Sequence, residues 1–203
     1  LHRLIRRQRQ MCIRDRFQTI ETSTKKILDS VASFEADVGI IYLDDENKHI
    51  LKSALEHHEL EFTSLGDFPT RIFLRRDHPL AHKSVISETD LKGYNQIRFR
   101  QEQSGLNFDE DALDIHNQQR ILYSNDRGTV MNLLCATDAY ASGLGIVNSF
   151  VRNQIVLIPL KNSPKHTLGY VTNKKKKLAP ISQFFINEIK LSLNEFADHS
   201  NIV

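Results

Sequence analysis

Few groupings in this chain have residue types and spacing that could do chemistry. Thr22, Ser23 and Thr24 stand directly ahead of Ile27, Leu28, Val31 and Ala32, which share one face at helical spacing. Hydroxyls at that place cap a helix start, and the unsatisfied backbone N–H groups there suit a carboxylate or phosphate. Capping and ligand contact can coexist, because they need different hydroxyls. Ser124 and Asp126 stand in the same relation to a second apolar run, Val130, Leu133, Leu134 and Ala136, and for them capping and ligand contact both stay open. Catalytic and metal groupings do not converge. His57 and His58 are adjacent and so point in different directions on a helix, and no carboxylate joins them and His49 in a fixed geometry. Asp109, Glu110 and Asp111 lack the glycine and spacing of a calcium loop and read as a solvated helix start. Cys135, next to Leu134, reads as a small core residue rather than a nucleophile. Ser142 to Gly145 (SGLG) follows a helical pattern and lacks the third glycine of a dinucleotide loop. These groupings argue against an enzyme and give no metal or cofactor.

The elements that must position these hydroxyls belong to a chain of 203 residues, 40% hydrophobic, enough for one large domain or two small lobes. Six of the 27 Lys and Arg and one of the 25 acids fall within residues 1–16, so the remainder carries a net charge of −3. That body has no basic surplus for contacting phosphates along a nucleic acid. Residues 1–16 differ in composition from all that follows, and read either as a basic arm or as an assembly scar to set aside. Lys174 to Lys177 reads as a solvated loop. Two cysteines, Cys12 and Cys135, give neither metal spacing nor a disulfide framework. With no apolar run near the roughly 18 residues of a membrane span and no signal-peptide pattern, the expectation is a cytoplasmic protein without membrane contact.

From Phe17 the pattern reads strand, helix, strand, helix, strand. Phe17–Glu21 is strand-like, 37–42 is an apolar β-branched run, and Ile50, Leu51, Ala54 and Leu55 repeat at helical spacing before Leu60–Leu65. A mostly parallel sheet is expected from this unit. Gly66 to Pro69 carries turn residues, and Thr70–Leu74 begins a second lobe. Ser87 to Asp90 has the spacing of a capping box for a short helix around Leu91, ending near Gly93. Strands follow at Gln96–Phe99, 120–124, 143–147, Ile155–Pro159 and 168–171, with helices at 108–115 and 129–137. Lys161 to Lys165 reads as the return crossover, and Pro180 as the first residue of a final helix. That helix carries an apolar stripe of Ile181, Phe184, Phe185, Ile189, Leu193 and Phe196, expected to pack on the first sheet.

Taken in order, several of these segments resemble the effector-binding domain of LysR-type transcriptional regulators. They are 21–24 (ETST), 34–40 (FEADVGI), 78–81 (HPLA), 89–91 (TDL) before 94–97 (YNQI), 124–126 (SND) leading to Val130, and 143–146 (GLGI) before Ile158 and Pro159. The stretch from Phe73 to Ala81 is the most diagnostic. The resemblance implies an α/β, two-lobed periplasmic-binding-protein-like fold of type II, with two crossover strands and with the first strand and helix of lobe one missing. Residues 17–67 plus 161–203 would form lobe I and 68–160 lobe II. It implies an oligomer, homodimer or homotetramer, that senses a small effector, and the capped helix start of this sequence would suit an anion. DNA would be reached only through an N-terminal domain that this chain lacks. By resemblance Thr24 matches an effector-contacting position, with Thr22 and Ser23 beside it. The loop bearing Arg100, Gln101, Gln103 and Ser104 would line the cleft from the opposite side. Ser124 and Asp126 head the next helix, and Ser142 and Gly143 would form the cleft floor. Arg75 or Arg76 would meet an anionic effector or remain a surface residue. A stand-alone solute-binding protein shares this fold and is the alternative reading.

Overall fold

The structure, a computed structural model, describes residues 17–45, 47–99, 120–147 and 149–199. Its elements are α1 (Thr24–Ala32), β1 (Gly39–Leu43), α2 (Lys48–His57), β2 (Leu60–Pro69), β3 (Arg71–Arg75), β4 (Gln96–Phe99) and β5 (Ile121–Ser124). They continue with α3 (Arg127–Ala136), β6 (Ala141–Gly143), α4 (Ser149–Arg152), β7 (Ile155–Pro159), β8 (Lys165–Asn173) and α5 (Pro180–His199).

Two sheets form two lobes. In the first the order is β1-β8-β2, with β8 antiparallel to both neighbours. In the second, β3 lies antiparallel between β6 and β7, while β4 and β5 pair in parallel. Tyr140, just ahead of β6, bridges Gln96 of β4, and its C=O accepts from Ile97 N–H at 2.8 Å. The second lobe therefore runs β5-β4-β6-β3-β7. In each lobe the strand arriving from the other lobe is inserted antiparallel. The expected parallel β1 and β2 are thus parallel to each other but separated by β8, which β-α-β periodicity cannot reveal because β8 comes about 100 residues later.

Alternation along the strands assigns the faces. On one face of the second sheet Phe73, Ile97 and Ala141 meet Val130 and Leu134 of α3, and on the other Ile72, Leu74, Tyr140 and Ile158 meet Leu80, Ile86 and Leu91. In the first lobe Leu28 and Val31 of α1, Leu51 and Leu55 of α2, Ile41, Leu60 and Val171 form one core. The opposite face of β8 bears Tyr170, over whose ring the Lys190 ammonium of α5 sits at 5.8 Å. The buried line of α5 is Ser182, Ile186 and Leu193, with Ile181, Phe184, Phe185 and Ile189 half-buried beside it. The apolar stripe read from sequence is thus rotated, because it left out Ile186, the most buried apolar residue of that helix among the described side chains.

Five expected features take other forms. Phe17–Ser23 forms no strand and has no ladder partner among the described residues. Alternation over five residues specifies an extended chain, not a neighbour to pair with. Gly66 to Pro69 is no turn. β2 runs through it with a register shift between Ser64 and Gly66, a bulge that takes up the backbone freedom of Gly66 at φ 150°. Ser87 to Asp90 closes half of a capping box: the Asp90 carboxylate accepts from Ser87 N–H at 2.9 Å, yet i to i−3 turns follow instead of an α-helix. Strand β6 ends at Gly143, and residues 144–147 leave the sheet. Cys135 is exposed rather than in the core, because the apolar face of α3 is set by Val130 and Leu134. The 108–115 helix, Cys12 and Asp109 to Asp111 lie outside the described residues.

The chain crosses between lobes twice, and the crossings meet at Thr70. Its N–H donates to Ser163 Oγ at 2.6 Å and its C=O accepts from Leu160 N–H at 3.3 Å. The Thr70 hydroxyl meets His166 Nε2 at 2.9 Å, with both residues buried. Below this, His78 braces the turn after β3. Leu80 N–H donates to its Nδ1 at 3.0 Å, which leaves Nε2 to carry the proton and donate to the Asp138 carbonyl at 3.0 Å. Burial, the largest influence, pushes the imidazole below its ordinary pKa, with the Asp138 contact opposing.

Two outcomes follow from this packing. A Cβ at Gly169 on β8 would run into the Phe62 ring and come 2.6 Å from the Thr63 carbonyl oxygen, so Gly169→Ala should cost about 1–3 kcal/mol by urea unfolding. His78 takes up a proton more readily unfolded than folded, so its contribution is whole above about pH 6.5 and is lost as pH falls from there. Melting temperature should drop between pH 7 and 5, and His78→Gln should flatten that drop.

Candidate functional site

Strands β4 and β5 end where the second lobe faces the first, the usual position of a ligand crevice in parallel α/β sheets. A cleft of about 290 Å³ opens there. Glu21, Thr22, Ser23 and Lys26 line it from the first lobe, and Phe99, Asn125, Asp126 and Arg127 from the second. The starts of α1 and α3 therefore face one another across it.

The two starts differ in charge. Helix α1 has Ser23 as N-cap, its Oγ accepting from Lys26 N–H at 3.4 Å, and no acidic residue in its first turn. Lys25 pairs with Asp29 at 2.7 Å, while Lys26 stands at the cleft. This end keeps the positive pole of its backbone and adds a cation. Helix α3 is capped by a carboxylate instead: Asp126 Oδ2 accepts from Thr129 N–H at 2.6 Å. Its interactions with Thr129, side chain first and backbone second, hold the Asp126 carboxyl below the usual range. The negative cap offsets the helix pole of α3, whereas the cap of α1 is neutral; beyond the caps the walls carry charges that answer each other, Glu21 and Lys26 on the first and Arg127 on the second.

Between them runs an ion pair. Arg127 Nε donates to Glu21 Oε1 across the cleft, and the guanidinium lies 4.2 Å from the centroid of the Phe99 ring. Arg127 and Glu21 are each about half exposed, with 56% and 53% of their side chains accessible.

Of the residues singled out from sequence, Thr22, Ser23 and Asp126 line the cleft. Thr24 is the first residue of α1 and is buried beneath it. Ser124 braces the turn: its Oγ accepts from Asp126 N–H at 3.2 Å and donates to Asp126 C=O at 3.1 Å. Ser142 and Gly143 pair with Ile72 and Arg71 inside the second sheet and are not among the lining residues. Arg100, Gln101, Gln103 and Ser104 lie outside the described residues. Arg75 pairs with Asp138 at 2.7 Å and Arg76 Nε donates to the Asn153 carbonyl, so neither lines the cleft. Sequence reasoning missed Glu21, Lys26, Phe99, Asn125 and Arg127. Each is within a few residues of one it found, but the bond across the cleft has no local signature. Among the described residues no group of His, Cys, Asp and Glu is arranged to hold a metal ion.

Two α/β lobes, each with an antiparallel crossing strand and a cleft at helix starts, define a type II periplasmic-binding-like protein. Residues 1–193 match the LysR substrate binding domain, and the chain belongs to that family. The uncharacterized HTH-type transcriptional regulator YbhD of Escherichia coli (strain K12) is 27% identical over 175 residues, which cover 82% of this chain and 50% of YbhD. The chain thus spans about half the length of this relative. HinK, a LysR family transcriptional regulator from Pseudomonas aeruginosa, shares the fold with a TM-score of 0.59 at 14% identity, over 95% of this chain and 64% of HinK. Reduced OxyR superposes with a TM-score of 0.59 at 18% identity, over 94% of this chain and 87% of its own. The regulatory domain of CcmR from Synechocystis PCC6803, solved in complex with 2-PG, gives 0.58 at 18%, over 94% and 89%. These relatives are described as transcriptional regulators, regulatory domains or OxyR, and none as an enzyme. No helix among the described residues is long and apolar enough to cross a membrane.

The Asp126 cap gives a pH signature. A carboxyl held below its ordinary pKa contributes stability above about pH 4, and that contribution is lost as pH falls through the folded value. Asn caps well without titrating, so Asp126→Asn should lose less melting temperature than the wild type between pH 6 and 3, measured by calorimetry.

Proposed function

We propose that this chain is the sensing part of a transcription factor, with residues 17–67 plus 161–203 as one lobe and 68–160 as the other, closing on a small metabolite. The observation that carries this reading is the cleft between the starts of α1 and α3, with walls supplied by separate lobes. A ligand touching both walls binds one lobe arrangement better than another, and that difference in affinity shifts the equilibrium between them. The crossings at Thr70 provide the pivot. Family membership and likeness to an HTH-type regulator support a DNA-binding region elsewhere in the longer protein, to which the lobe movement is passed. A homodimer or homotetramer is the assembly this implies. The positive start of α1 favours a small anion, with Thr22, Ser23, Asp126 and the loop of Arg100, Gln101, Gln103 and Ser104 as contacts and Thr24, Ser124, Ser142 and Gly143 behind them. The regulatory domain of CcmR, a neighbour in fold, is solved in complex with 2-PG, and this supports the reading.

A panel of small metabolites, scored by thermal shift and small-angle scattering, tests the proposal. At least one should raise the melting temperature and compact the chain. At a ligand concentration of 100 times Kd the stabilisation is about 2.7 kcal/mol. Ser23→Ala or Thr22→Ala should weaken the response without changing the unliganded melting temperature by more than a few degrees. Absence of stabilisation and compaction across the panel would refute the sensing role.

A further inference from the structure

We infer that Glu21 is a built-in competitor for the ligand: in the unliganded chain its carboxylate takes the Arg127 guanidinium that a ligand carboxylate or phosphate takes when the cleft is filled. The inference rests on the sensing role proposed above and adds the residue that sets affinity for anions. Three observations carry it. Arg127 is oriented, because its guanidinium lies against the Phe99 ring at 4.2 Å and so presents its donors at the cleft. The carboxylate next to it in its own lobe, Asp126, is committed to Thr129 N–H at 2.6 Å. The carboxylate that pairs with Arg127 comes from the other lobe, from Glu21, through the Nε edge of the guanidinium.

An anion entering between Lys26 and Arg127 meets Glu21 already in place. Both partners are about half exposed, and pairs of that kind hold weakly in water. A ligand anion bound two-pronged to Arg127 and also seated at the α1 start gains contacts that Glu21 does not make. Glu21 thereby raises the threshold for anions and leaves uncharged molecules without this route into the cleft.

The test titrates inorganic phosphate and benzoate, with benzamide as the uncharged counterpart, into the wild type, Glu21→Gln, Arg127→Met and the double variant, using isothermal titration calorimetry. Glu21→Gln should bind an anion about two- to five-fold tighter than the wild type, the range set by weak exposed pairs. Benzamide should gain nothing, and the anion gain should vanish once Arg127 is replaced. A gain for phosphate alone or benzoate alone supports the inference and separates a phosphorylated from a carboxylic ligand. Equal affinity in wild type and Glu21→Gln, a gain that survives in the double variant, or no anion binding by any of the four proteins overturns it. A metabolite that binds the wild type, Glu21→Gln and Arg127→Met equally removes this inference while leaving the sensing role intact.

Discussion

Thr70 is where the two passages between lobes are bonded to each other. Its backbone is held by Ser163 and Leu160, and its hydroxyl by His166, in a place closed to water. Inside, such polar groups are costly to leave unsatisfied, so the crossings are fixed in register. From that point β2 and β8 lead into the first sheet, and β3 and β7 into the second. The place of each sheet, and hence of α1 and α3 at the rim, follows from this one junction. A small rotation about it moves the helix starts relative to one another while each lobe keeps its own core.

The site itself uses structural devices twice. The free backbone N–H groups at a helix start need partners whether or not a ligand exists. This chain caps α1 with a neutral hydroxyl and α3 with a carboxylate, and the choice of residue polarises the cleft. His78 shows the opposite case. It belongs to the most recognisable stretch of the sequence, yet both ring nitrogens are spent on holding the turn after β3, away from the cleft.

What was legible in the sequence divides along range. β4 and β7 were readable to the residue, and α1 and α3 nearly so, because strand runs and cap residues are written locally. The half of the site built on caps, Thr22, Ser23 and Asp126, was readable for the same reason. The insertion of β8 between β1 and β2, the passage of β2 through Gly66 to Pro69, and the Glu21 to Arg127 bond were not. Each depends on a partner about 100 residues away in sequence. Cys135 failed for a different reason: α3 is apolar enough that its buried side is set by the sheet beneath it rather than by its own periodicity.

Placing β8 in the middle of the first sheet also orders events in time. The strands of the second lobe, β3 to β7, are contiguous in sequence and can pair as soon as they leave the ribosome. β1 and β2 are made earlier, but among the described residues their ladder partner is β8, so their edges stay open through the synthesis of the whole second lobe. Open strand edges recruit other chains. Of the two sheets, the one whose strands begin earlier in the sequence is therefore the later to close, and a chain cut short before Lys165 would keep open strand edges for good.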